Sequence, residues 1–140
     1  MSLSDHLRYL RAMRPGLTPE DIAEALEGAL PGAVSQAEKR YRPVADEALI
    51  AGLARFYGRP LAEFQWHNAR ARKYLTFYVQ RVLESQAPAM LTLRGGQTLS
   101  GRVVWWDLGA IGLQTEEGLL VVQRHAVIDW PDAEEHWWEK

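Results

Sequence analysis

The stretch V121-V-Q-R-H-A-V-I-D-W130 reads as an apolar strand that breaks off and resumes. Val121 and Val122 precede the break, and Ala126, Val127 and Ile128 follow it. Gln123, Arg124 and His125 sit between, so a cation and an imidazole interrupt an apolar run. Leu119 to Gln123 is predicted as one strand and Ala126 to Trp130 as the next. Working back, Ile111 to Thr115 is a third strand, ended by a turn at Glu117-Gly118. Thr98 to Trp106 and Met90 to Arg94 are two more, joined by a tight hairpin at Gly95-Gly96. Five short strands with period two, following one helix, predict a small, strongly bent antiparallel barrel. The helix is expected over about Ala69 to Ser85, with Tyr74, Leu75, Tyr78, Val79 and Val82 on one side and Pro88 after it.

Residues 1–66 have a helical period instead. Leu3, Leu7, Leu10 and Met13 mark a first helix, broken at Arg14-Pro15-Gly16. Thr18 is placed as an N-cap, with Pro19 at the first helical position and Glu20 and Asp21 in the first turn. Val34 and Ala37 mark a short third helix before Pro43. A fourth runs from about Asp46 to Gly58, and a further turn or two covers Leu61 to Trp66. The expected class is therefore α+β: a bundle of four to five helices (1–66), one helix and the barrel (67–130), and an acidic, aromatic tail (131–140). The boundary is read near Trp66-His67-Asn68.

The chain has 140 residues and a formal charge of −2, which gives no global attraction to nucleic acid or anionic membrane. There is no cysteine, which excludes disulfides, thiolate catalysis and cysteine-based zinc sites. His6, His67, His125 and His136 lack ligand spacing. No nucleophile–base pattern, phosphate loop or pair of catalytic acids is present. The expectation is a non-enzyme with no cofactor and no metal. With no apolar stretch long enough to span a bilayer, the expected location is cytoplasmic.

Two family resemblances follow from the motifs. G101-R-V-V-W-W-D107 is similar to the first signature of the Sm fold. Q123-R-H-A-V-I128 is similar to the second in its bacterial form, the Hfq RNA chaperone. A helix and an R-G-G hairpin precede them in order, so the resemblance covers about residues 74–130. It implies that Arg124 and His125 lie in a short turn between the last two strands. It also implies that Gln123, Arg124 and His125 point into the centre of a ring of subunits, six being expected, where RNA, uridine-rich in Hfq, is held. Trp106 and Asp107 match the end of the first signature. Arg70, Arg72 and Lys73, at the start of the helix, either extend the RNA track or form a solvated face. Some positions depart from the pattern. The family's base-stacking aromatic falls on Gly109, and the aromatic before the basic residue is Gln123. The uracil-reading glutamine falls on Leu75, and the rim arginines on Leu83 and Glu84. Trp105 and Trp106 alternate along a strand, so at least one is expected in the core. Arg124 and His125 remain open between ligand contact and a purely structural or interface role.

G16-L-T-P-E-D-I-A-E-A-L26 followed by A33-V-S-Q-A-E-K-R-Y-R-P43 resembles the helix-turn-helix of lambda-repressor, Cro-type regulators, over about residues 3–66. The recognition-helix start is occupied by Leu30, Pro31, Gly32 and Ala33, which offer no base-reading groups. Ser35, Gln36, Lys39, Arg40 and Arg42 are the candidate DNA contacts, chiefly to phosphate. Their alternative is a solvated helix end. The functions expected are RNA binding at the ring collar, DNA-binding transcription regulation with the barrel as oligomerisation module, or an oligomeric scaffold that binds neither. The tail, with Trp137 and Trp138 among acids, is expected to lie outside the barrel, where it either mimics a nucleic-acid strand or packs on a neighbour.

Overall fold

The computed structural model describes residues 2–135. They form six α-helices followed by a five-stranded antiparallel sheet, in two compact units divided between Ala71 and Arg72. The tail residues 136–140, with His136, Trp137 and Trp138, lie outside the described part.

In the first unit, α1 (Leu3–Ala12) starts at a Ser2–Asp5 capping box and α2 (Pro19–Ala25) at a Thr18–Asp21 box with Pro19 in its first turn. In each box two orphan N–H groups are satisfied by side chains that the local sequence already supplies. The helix α3 (Ala33–Ala37) is a short piece. The Asp46 carboxylate accepts from the Leu49 amide to begin α4 (Glu47–Tyr57), and Gly58, at φ +66°, ends it in the left-handed conformation that glycine adopts without strain. The last helix of the unit, α5 (Leu61–Asn68), outruns the one or two turns expected. Leu7, Ile22, Val34, Leu53 and Phe64 are fully buried at the centre of this bundle.

The division falls after Ala71 rather than at Trp66-His67-Asn68 because this segment is tied to the bundle. The Asn68 amide accepts from the Val44 N–H at 2.8 Å and donates to the Val44 carbonyl at 3.0 Å. Arg70 lies over the Trp66 ring, 3.7 Å from its centre, and donates to the Trp66 carbonyl.

The ring of His6 stacks on that of His67 at 4.0 Å, and its Nε2 is 3.0 Å from Glu63. Glu63 also accepts from Arg59 at 2.6 and 2.8 Å. The Arg59 hydrogen bond, and then His6 against the opposing effect of burial, hold the Glu63 carboxyl down to about 2 from its ordinary 4.5. A depressed carboxyl stabilises the fold above its unfolded value, and that contribution fades as the pH falls from about 4.5 toward 2. Arg59 is half exposed, which screens the pair, so the expected contribution is on the order of 1 kcal/mol. Melting curves at stepwise pH should show a shallower acid slope for Glu63→Gln than for the native chain. Equal slopes would remove Glu63 from the acid response.

In the second unit, α6 (Arg72–Ser85) packs Tyr74, Leu75, Tyr78, Val79 and Val82 inward. The strands are β1 (Ala89–Leu93), β2 (Thr98–Trp106), β3 (Ala110–Thr115), β4 (Gly118–Gln123) and β5 (Val127–Asp129), in the order β4-β3-β2-β1-β5. Their spans follow the period-two reading closely. The first half of β2 pairs with β1 and the second half with β3, so the sheet turns at Gly101-Arg102. A Cβ at Gly101 would lie 2.4 Å from the Gln114 carbonyl oxygen, an approach only glycine permits.

The sheet does not close: β4 and β5 are its two edges and do not pair with each other. Yet only Arg124–Ala126, a single 3-10 turn, joins them. Four Cα steps reach at most about 14 Å. Four strand spacings in a flat sheet need about 19 Å. The sheet is therefore bent so that its opposite ends meet at residues 123–127.

Residue Val104 forms a bulge between the Val103–Leu113 and Trp105–Gly112 pairs. It breaks the alternation on which a core tryptophan was expected. Neither ring is buried: Trp105 is exposed, lying over Gly112, and Trp106 is half-buried with its Nε1 donating to Gln80 at 2.8 Å. The start of the tail departs from expectation as well. Residues 131–135 form turns in which Ala133 is buried and Asp132 is 4.0 Å from Arg81.

Candidate nucleic-acid interface

The corner between β4 and β5 gathers most of the sequence-derived RNA candidates. Gln123 ends β4, paired with Ala110, and Arg124 begins the 3-10 turn. The side chains of Gln123 and His125 are exposed, but that of Arg124 is only 3% exposed. Its guanidinium turns back into its own unit. It donates to the Asp107 carbonyl at 2.9 Å, to the Arg72 carbonyl at 3.1 Å, and to the Thr76 hydroxyl. The Trp106 ring lies alongside, 5.7 Å from the guanidinium carbon. The Arg124 amide donates to the Gly109 carbonyl at 3.0 Å. Of the three residues expected to point into the centre of a ring, Arg124 is therefore turned into its own unit, where three oxygens of its own chain accept from its terminal N–H groups.

The loop between β2 and β3 completes the corner. The Asp107 carboxylate accepts from the Gly109 and Ala110 amides, both at 2.8 Å, and so serves as the staple of its own turn. Leu108, at the tip, is 84% exposed. Gly109 is exposed and carries no ring, and Leu75, where the resemblance places a base-reading glutamine, is buried.

The cluster Arg70, Arg72 and Lys73 is split. Arg70 is buried at the end of the first unit, while Arg72 and Lys73, half-buried, open α6 in the second. Thr76, Gln80 and Leu108 matter to the corner and were not singled out from sequence. Thr76 carried one signal, a hydroxyl beside the apolar stripe of α6 and one turn after Arg72, whose carbonyl it meets at 3.1 Å.

The DNA candidates lie around α3. Ser35 is half-buried, Gln36 is exposed, and Lys39, Arg40 and Arg42 are exposed beyond the helix end. Arg42 lies over the Tyr41 ring at 5.6 Å. Leu26–Gly32, seven residues, separate α2 from α3, against the three- or four-residue turn of a helix-turn-helix. With five residues, α3 stops at Ala37, and Glu38 after it is buried against Arg11.

Among the described residues no group of three or more acids and histidines is placed to hold a metal, and no helix is long and apolar enough to cross a membrane. No protein-family model matches the chain, and no curated protein matches it in sequence.

Proposed function

We propose that the protein is a nucleic-acid-binding regulator whose β-rich unit is of the Sm type, assembles into a ring of six, and holds uridine-rich RNA at the β4–β5 corner. The observation that carries this reading is that corner: a single 3-10 turn between the two strands at the ends of the sheet order, displaying Gln123 and His125. An unpaired edge with apolar side chains is a hazard unless a partner covers it. Leu119, Leu120 and Val121 of β4 are all exposed on such an edge. Pairing β4 of one copy with β5 of the next would be a head-to-tail contact, which closes into a ring where the rotation between copies closes and otherwise runs on as a filament. Each closure would repeat the His125 corner around one axis.

A second reading has one observation in its favour. Burial of Arg124 takes the expected cation from the collar, whereas Lys39, Arg40 and Arg42 stay exposed. The sheet would then only assemble a DNA-binding regulator of lambda-repressor type. A scaffold that binds neither nucleic acid remains the third outcome.

Light scattering should give a multiple of the chain mass, and Val121→Lys on the β4 edge should reduce it to the monomer. A native chain that is monodisperse as a monomer overturns the ring. Anisotropy with a uridine-rich oligonucleotide should show His125→Ala binding about tenfold more weakly, as expected for loss of a base contact. If RNA does not bind, while salt-sensitive duplex binding is lost in Arg40→Ala with Arg42→Ala, the second reading holds.

A further inference from the structure

Arg124 is one of three residues that the break in the strand and the Hfq resemblance bring forward, open between ligand contact and a structural role, and it is the one the fold withdraws. We infer that Arg124 is a positioning residue: its guanidinium holds the His125 corner in place and touches no phosphate. This rests on the RNA reading above for its ligand, but not for its geometry.

The argument is one of donors and reach. A guanidinium presents its N–H groups in a fixed planar fork. Here the fork, carried by the 3-10 turn, ties that turn to two elements: the start of α6 through the Arg72 carbonyl and the Thr76 hydroxyl, and the β2–β3 loop through the Asp107 carbonyl. With 3% exposure, the group has no face left for a phosphate. The two neighbours in sequence, Gln123 and His125, are exposed. Their amide and imidazole are donor–acceptor groups suited to a base edge. The corner thus reads a ligand without contributing the charge that its sequence advertises.

The distinction is measurable because phosphate contacts carry a salt signature. An arginine on a phosphate contributes about one to the slope of log affinity against log salt, and its removal lowers that slope by about as much. The native chain, Arg124→Ala, Arg124→Lys and Thr76→Val are titrated with the uridine-rich oligonucleotide over a range of salt. Thr76→Val, which removes only the remote hydroxyl, guards against failure of Arg124→Ala to fold. The expected result is weakening of about tenfold in Arg124→Ala and a few-fold in Thr76→Val, with unchanged salt slope. Lysine, which keeps the charge but lacks the fork, should not rescue. The His125 ring resonances should shift in Thr76→Val while its melting temperature stays close to native. A slope lowered by about one, or rescue by lysine, overturns the inference, as does native affinity in both Arg124→Ala and Thr76→Val. Should the native chain bind no RNA, the RNA reading fails and the positioning role is read from His125 itself. A shifted ring resonance and faster amide exchange at Gly109 in Thr76→Val support it, and unchanged values overturn it.

Discussion

Arg11→Ala is expected to destabilise the helical unit by about 3–5 kcal/mol, and Glu38→Gln by far less. The two groups form one bidentate pair, with Arg11 Nε 3.0 Å from both Glu38 oxygens. Their surroundings differ: the Glu38 side chain is 4% exposed and that of Arg11 33%. Truncating the arginine leaves a carboxylate buried with its guanidinium gone. Neutralising the glutamate leaves an arginine that can turn toward water, and it keeps an acceptor in place. The hydrogen bond to Glu38 is also the main cause that raises Arg11 above its ordinary value. Thermal unfolding should show a loss of about 10 °C or more for Arg11→Ala. The double variant Arg11→Met with Glu38→Met should recover most of that loss, since an apolar pair of similar volume carries no desolvation penalty. Equal costs for the two single variants would mean that Glu38 is better solvated than its burial indicates.

Gly101→Ala should damage the β-rich unit more than Gly112→Ala, although the second clash is nominally tighter. An added Cβ at Gly112 would lie 2.1 Å from Trp105 Nε1, and at Gly101 2.4 Å from the Gln114 carbonyl oxygen. The first obstacle is the end of an exposed side chain, which rotates away. The second is the backbone of β3, which moves only if the β2–β3 pairing opens where the sheet bends. The expected costs are about 3 kcal/mol at Gly101 and about 1 kcal/mol at Gly112. Urea denaturation separates them, and near-ultraviolet circular dichroism should change for Gly112→Ala as the indole is displaced. A Gly101→Ala variant of native stability would place the bend elsewhere.

Much of the fold was legible because it is written locally. Thr18-Pro19 with Asp21, Asp46 before the fourth helix, and Gly58 after it act on backbone groups within four positions, so a short window contains both partners. The period-two runs of 90–94, 98–106, 111–115 and 119–123 mark strands for the same reason. The failures have a common form. The bulge at Val104 inserts a residue into the alternation, and nothing in V-V-W-W marks it. The reach of α5 to Asn68 depends on Val44, 24 positions away.

By itself the sequence determined which segments are helical and which extended, and the ends that carry a local cap or turn, since capping and side-chain period act over a few residues. Only the tertiary structure decided how the strands are ordered and which way Arg124 faces. Its partners Asp107, Thr76 and Arg72 lie 17, 48 and 52 positions from it along the chain. A cation between two polar residues reads as solvent-facing until distant oxygens, brought together by the bend of the sheet against α6, accept from its terminal N–H groups in the interior.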